Sequence, residues 1–183
     1  SFAIYYSTAI SPQIKDLELI ESIIQLTTVV IKRKKSDEKL LLLSRIYDQT
    51  HEGITITNTD GKIIDVNPTF CKITGYDRSE ILGQNPSILS SGKHSPEFYA
   101  EMWDSLNKVG HWQGEVWNRK KSGEVYAELL TISSIQDDND KTTHHVGLFS
   151  DITQNKEQQK ALEFMAHYDV LTQLPNRTLF IDR

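Results

Sequence analysis

Residues 53–68 read Gly53-Ile54-Thr55-Ile56-Thr57-Asn58-Thr59-Asp60-Gly61-Lys62-Ile63-Ile64-Asp65-Val66-Asn67-Pro68. Apolar and polar residues alternate over Gly53–Asn58, the period of a half-buried strand. Thr59-Asp60-Gly61 is a hairpin turn, because Asp-Gly supplies the positive φ that a tight reversal needs. Lys62–Asn67 is the return strand, and Asn67-Pro68 opens a short helix. Two antiparallel strands feeding a helix set the start of a domain.

The pattern continues outward from that hairpin. Phe70 and Ile73 face inward on the first short helix, and Gly75 closes it. Asp77 or Ser79 can cap a second short helix that ends near Gly83. Asn85–His94 reads as a loop. Ser95-Pro96-Glu97 opens a third helix with Phe98, Met102 and Leu106 on one stripe, and Gly110 ends it. Three strands follow. His111–Arg119 joins Glu124–Ile135 through Lys121-Ser122-Gly123, and Asp137–Asp140 turns into His144–Ile152. The order β-β-α-α-α-β-β-β with short connections predicts an α+β fold: a five-stranded antiparallel sheet with helices on one face.

Composition narrows the function classes. Apolar content of 38% and charged content of 25% are ordinary for a globular chain of 183 residues. A net charge of −5 argues against a general nucleic-acid binder. No run approaches the ~20 apolar residues of a membrane span. The single cysteine, Cys71, excludes an internal disulfide and fits a reducing compartment, so a cytoplasmic location is expected. The chain does not begin with methionine, which reads as a piece of something longer.

The flanks read as connectors. Phe2–Tyr6 has the composition of a strand, and Ser11-Pro12 that of a helix start. Ile14, Leu17, Ile20, Ile24 and Ile31 fall at helical spacing. Lys32-Arg33-Lys34-Lys35 breaks that stripe as a solvated run, and Ser36, Asp37 and Glu38 look like a fresh start. Residues 12–50 are thus expected to be a helical connector, either restarted at Ser36 or one long helix, and residues 154–168 form a second helical connector.

These features carry resemblances. The Asp-Gly hairpin, Asn67-Pro68-Thr69-Phe70 through Thr74-Gly75-Tyr76, Gly110-His111-Trp112-Gln113-Gly114-Glu115, Asn118-Arg119-Lys120-Lys121-Ser122-Gly123-Glu124 and Asp151-Ile152-Thr153 occur in the order of a PAS domain. Residues 46–153 therefore resemble a PAS domain, flanked by connector helices. Residues 1–35 resemble the final strand and helix of a GAF domain, with residues 36–50 as connector. Asp169-Val170-Leu171-Thr172-Gln173-Leu174-Pro175-Asn176-Arg177 resembles the opening of a GGDEF domain at residues 169–183, with Gln173 where that family usually has Gly. The resemblance implies that Asp169 and Arg177 form an ion pair bracing the turn into GGDEF. It also implies a sensory module that regulates a cyclic di-GMP output (GGDEF, with EAL left open), in a parent that is a diguanylate cyclase, a cyclic di-GMP phosphodiesterase or both. Because two GGDEF copies must face each other, a homodimer through the connector helices and PAS domain is expected. A ligand-free dimerisation and spacer module is the alternative.

The chain itself lacks a catalytic constellation. Its six histidines show no metal-ligand spacing. His144 and His145 are neighbours on a strand and point to opposite faces; surface and edge positions suit them. The cavity of the resembled fold is the candidate site. Trp112 and Asn118 lie six residues apart on one strand and so face the same way. Flavin-binding redox and aerotaxis PAS domains are similar here; by that resemblance Trp112 packs near a flavin (FAD) ring and Asn118 bonds its polar edge. The bland reading makes Trp112 a core aromatic and Asn118 a hairpin residue. His94 stands near a histidine of the aerotaxis sensors, but too early for a haem ligand, and an exposed loop position is its default. Flavin photoadduct domains need a cysteine where Pro86 stands. Asp151 and Thr153 resemble the hinge that couples the sheet to an output helix, and Thr153 can cap that helix.

Overall fold

The computed structural model describes residues 14–168. The expected strand Phe2–Tyr6, the helix start at Ser11-Pro12 and the motif Asp169–Arg177, with its pair Asp169 and Arg177, lie outside them.

Helix α1 runs unbroken over Ile14–Gln49. Of the two readings of this connector, the single long helix holds over its described part, and Ser36 does not begin a new one. Lysine and arginine are good helix formers, so the basic run interrupts the apolar stripe without interrupting the backbone. Leu26, Val29, Val30, Leu40, Leu41, Leu42, Leu43 and Ile46 are exposed along it. The chain divides into two compact units, residues 1–46 and 47–183.

The second unit is built on one sheet. Strands β1 (Gly53–Asn58) and β2 (Ile63–Val66) form the hairpin, with Gly61 at φ 71°. Helix α2 (Pro68–Thr74) follows, then α3 (Arg78–Ile81), a 3₁₀ turn at Pro86–Leu89 and α4 (Pro96–Val109). Strands β3 (His111–Arg119), β4 (Val125–Gln136) and β5 (Thr142–Asp151) complete the sheet, and α5 (Thr153–His167) leaves it. The strand order is β2-β1-β5-β4-β3, and every pairing is antiparallel. This is the expected α+β layout.

Local chemistry accounts for the joints. Asn67 is fully buried and has its side chain saturated. Its Oδ1 accepts from the N–H groups of Ile54 (2.8 Å) and Phe70 (2.9 Å), and its Nδ2 donates to the carbonyls of Tyr47 (3.1 Å) and Glu52 (2.9 Å). One amide thus caps α2 and pins the segment before β1. Gly75 ends α2 in the left-handed region at φ 77°. Asp77 caps α3, its N–H donating to Glu80 Oε2 at 3.0 Å. The Pro86–Leu89 turn falls inside the expected loop; Asn85 caps it by accepting from the Ser87 N–H.

Ile63, Val66, Phe70, Ile81, Leu89, Tyr126 and Phe149 form the core between α2, α3 and the sheet. Phe70 and Phe149 meet edge to face at 5.7 Å. Gly53 faces Phe149 across β1 and β5, and a Cβ there would lie 2.3 Å from the ring. The glycine is what lets that ring lie flat on the sheet.

Candidate functional site

Cross-strand partners share a sheet face. The register pairs Asn118 with Tyr126, Val116 with Glu128 and Gly114 with Leu130; Leu130 in turn pairs with Phe149 on β5. This face looks toward α2 and α4, and between them lies a cavity of about 360 Å³. Its walls are largely apolar, with Phe70, Leu89, Met102, Val116, Leu130 and Ile132 among them. Ligand sites have this character: an apolar slot with a few polar anchors.

Two of the anchors are buried on the sheet wall. Asn118 is 9% exposed and Glu128 2%. Asn118 Nδ2 donates to Glu128 Oε1 at 2.9 Å. Glu128 Oε2 and the Tyr126 hydroxyl are both buried without a hydrogen bond of standard geometry, although the two side chains are neighbours and influence each other's ionisation. Burial pushes the Glu128 carboxyl up to about 7, against the opposing influence of Tyr126 and Asn118. The same burial, with the neighbouring Glu128 charge, raises the Tyr126 phenol.

The structure separates the residues expected to act together. Asn118 lines the cavity, while Trp112 does not figure in its wall. The Trp112 ring instead covers Gly114, where a Cβ would meet it at 2.6 Å, and edges Phe98 at 5.8 Å. The two side chains do share a sheet face, but the missing Cβ at Gly114 lets the indole fold down the strand. His94 is also away from the cavity wall and is half-buried, not exposed. It stacks on Phe98 at 4.0 Å, and its Nε2 accepts from the Trp117 N–H at 2.8 Å. His94 is thus the clamp that holds the loop to edge strand β3. Burial lowers its pKa, which keeps that nitrogen free to accept.

His145 corrects the surface reading given to the histidine pair. It points into the cavity, is half-buried, approaches Ser134 Oγ with Nδ1 at 3.1 Å and meets the edge of Trp103. His144 takes the other face, beside Thr143 Oγ1 at 3.0 Å. Among the described residues no cluster of His, Cys, Asp and Glu is arranged to hold a metal. Pro86 lines the cavity where a photoadduct thiol would stand; Cys71 is half-buried on α2, packed against the core.

Where the sheet passes into α5, Thr153 works differently from a cap. The helix begins at Thr153 itself, after Ile152. Asp151 Oδ1 accepts from the Thr153 N–H (2.9 Å) and hydroxyl (2.6 Å), so Asp151 supplies the capping oxygen. Beyond the hinge, Lys156 pairs with Glu115 at 2.7 Å, holding α5 against β3.

Sequence comparison fixes the family. The PAS domain family matches residues 51–154. The chain belongs to the PAS family. This PAS chain is 30% identical over 112 residues to the nitrogen fixation regulatory protein of Klebsiella oxytoca, covering 61% of the chain and 23% of that relative. It is 33% identical over 114 residues to a blue-light photoreceptor of Listeria innocua, covering 61% and 45%. The chain therefore spans less than half the length of these relatives. A PAS domain from Colwellia psychrerythraea superposes with a TM-score of 0.60 at 23% identity, covering 63% of the chain and 98% of that domain. That match shows the PAS fold. No described helix is long and apolar enough to cross a membrane.

Glu128 is the buried acid of the cavity wall that the sequence reading passed over. Its signal was an acid two residues from Tyr126 inside an apolar strand, in the run Val125-Tyr126-Ala127-Glu128-Leu129-Leu130. An acid at an inward position of a buried strand is the departure from alternation that marks a site.

Proposed function

We propose that this PAS domain is a sensor whose cavity holds a small planar ligand, with flavin the leading choice, and that occupancy is passed through α5 to a separate output. The observation that carries this reading is the buried Asn118–Glu128 pair at the wall of an otherwise apolar cavity. The pair bonds internally, but burying Glu128 Oε2 without a well-formed hydrogen bond is costly unless a ligand uses it. The residues present fit a flavin ring: flat apolar walls for its faces, Asn118 and Glu128 for its polar edge. A bound flavin would supply redox chemistry, and Asn118 and Glu128 would orient it. Pro86 weighs against light-driven adduct chemistry. The names of the relatives, a nitrogen fixation regulator and blue-light photoreceptors, support a sensory role without naming the signal.

The motif Asp169–Arg177 supports a GGDEF output after α5, with Asp169 and Arg177 bracing the turn into it. A second reading, a ligand-free dimerisation and spacer module, draws on the exposed apolar side chains of α1. An absorbance spectrum with mass analysis of protein purified without added cofactor separates the two. A bound chromophore or planar heterocycle is expected; an empty cavity in protein from several hosts favours the spacer.

A further inference from the structure

The cavity wall carries more hydrogen-bonding capacity than the protein uses. Glu128 Oε1 is satisfied by Asn118, but Oε2 is buried, makes no hydrogen bond of standard geometry even with the Tyr126 hydroxyl beside the carboxyl, and belongs to a residue lining the cavity. Leaving a buried acceptor unpaired costs about 1–3 kcal/mol, more for a charge. With no well-formed hydrogen bond at Oε2, burial makes the neutral acid the cheaper form. A donor placed against Oε2 reverses that preference, because hydrogen bonds to an ionised group favour ionisation.

We propose that the cavity takes a planar heterocycle through a ring N–H given to Glu128 Oε2, and that the contact is made to the carboxylate, so that binding releases one proton to solvent. The step balances: the carboxylic acid loses its proton to water, and the ligand N–H donates to the resulting anion. The inference rests on the planar-ligand reading above and gives it a specificity-determining residue. Asn118, beside the carboxylate, presents N–H donors and so disfavours a compact cation there. The apolar side chains opposite suit a flat ring better than an ammonium group.

Other ionisable groups near Glu128 are accounted for. Tyr126 on β4 is buried and its phenol is raised, so it stays neutral. Asp151, its partner across β5, adds negative charge that opposes ionisation. Lys120 lies over the Tyr126 ring at 5.5 Å and is tied to Glu124 and Asp151. Tyr99 on α4 and His145 on β5 complete the ionisable residues of the cavity wall. His145 is the alternative source of a proton.

The test is the pH dependence of binding, read with lumiflavin and with 3-methyllumiflavin, which keeps the ring and lacks the N–H. Binding of lumiflavin to the wild-type chain is expected to tighten about tenfold between pH 6 and 8, as one proton is released. The methylated probe should bind more weakly and with no pH trend. Glu128→Gln retains an acceptor but cannot ionise, so it should bind lumiflavin with a flat profile. A flat wild-type profile, a reversed slope, or equal binding of the two probes overturns the proton-linked contact and leaves the planar-ligand reading standing. The same slope in Glu128→Gln assigns the proton to His145 and also overturns it. Failure of both probes to bind at any pH removes the planar-ligand reading as well. If Glu128→Gln does not fold, the comparison of the two probes on the wild-type chain still decides.

Discussion

The backbone N–H of Ala127 donates to Thr153 Oγ1 at 3.0 Å, while the Ala127 carbonyl accepts from the Ile152 N–H at 2.8 Å. Ala127 is thus bonded on both sides to the start of α5. It also sits between Tyr126, buried in the core, and Glu128, buried in the cavity wall. Any shift of β4 at the cavity reaches the helix start through two hydrogen bonds.

Thr153→Val should lower stability by about 1–2 kcal/mol, because the Ala127 N–H loses its partner while the shape is kept. Amide hydrogen exchange should accelerate at Ala127 and across the first turn of α5. Unchanged exchange at Ala127 would remove Thr153 from the coupling. Asp151→Ala, which strips the oxygen bonded to the Thr153 N–H and hydroxyl, should fray the same turn.

Glu128 predicts a pH profile for the ligand-free chain. Its folded pKa of about 7 lies above the ordinary carboxyl value of 4.5. The folded state therefore holds its proton more tightly than the unfolded state. Its contribution to stability is complete below about pH 4.5, declines as pH rises, and is spent above about pH 7. The loss amounts to roughly 3 kcal/mol at most. Chemical denaturation at pH 5 and 8 should reveal it, and Glu128→Gln should abolish the difference. A Gln variant with the same slope would place the titration elsewhere.

His94 titrates in the opposite sense. Burial holds its pKa below the usual imidazole value, so its contribution is present above about pH 6.5 and falls away on acidification. Protonating Nε2 would set an N–H against the Trp117 N–H and open the clamp at β3. The Trp117 amide resonance should shift with the His94 titration in NMR spectra recorded from pH 7.5 to 5. A Trp117 signal indifferent to that titration contradicts the clamp.

Asn67→Ala should destabilise the domain by about 3 kcal/mol or more, since the N–H groups of Ile54 and Phe70 and the carbonyls of Tyr47 and Glu52 lose partners together. Thermal melting is sufficient to measure it; a fall of less than about 1 kcal/mol would mean water replaces the amide freely.

Gly53→Ala should cost about 1–3 kcal/mol, because the new methyl meets the Phe149 ring and the core must shift. A melting temperature equal to wild type would mean Phe149 has room to move.

The fold was legible because its signals are local. The Asp60-Gly61 turn, the Asn67-Pro68 and Ser95-Pro96 helix starts and the closing glycines each dictate backbone geometry within a few residues, and Gly53–Asn58 and His111–Arg119 have the predicted ends. β5 begins two residues earlier than expected, at Thr142, because the turn closes through Asp137 Oδ1 accepting from the Asn139 and Lys141 N–H groups. The site was less legible, because it depends on register. Only pairing β3 with β4 brings Glu128 beside Asn118, and only the bare Gly114 lets Trp112 fold down the strand. His94 and Trp117 are 23 residues apart and meet through a backbone amide, which side-chain patterns do not announce.

Trp117 sits on the far face of β3 with Lys93 over its ring at 3.9 Å and Lys160, from α5, at 5.8 Å. Positive charge so close to an indole alters its emission. The domain therefore carries an intrinsic optical gauge: swinging the exit helix away would withdraw one ammonium group and change tryptophan fluorescence, with no dye or label attached.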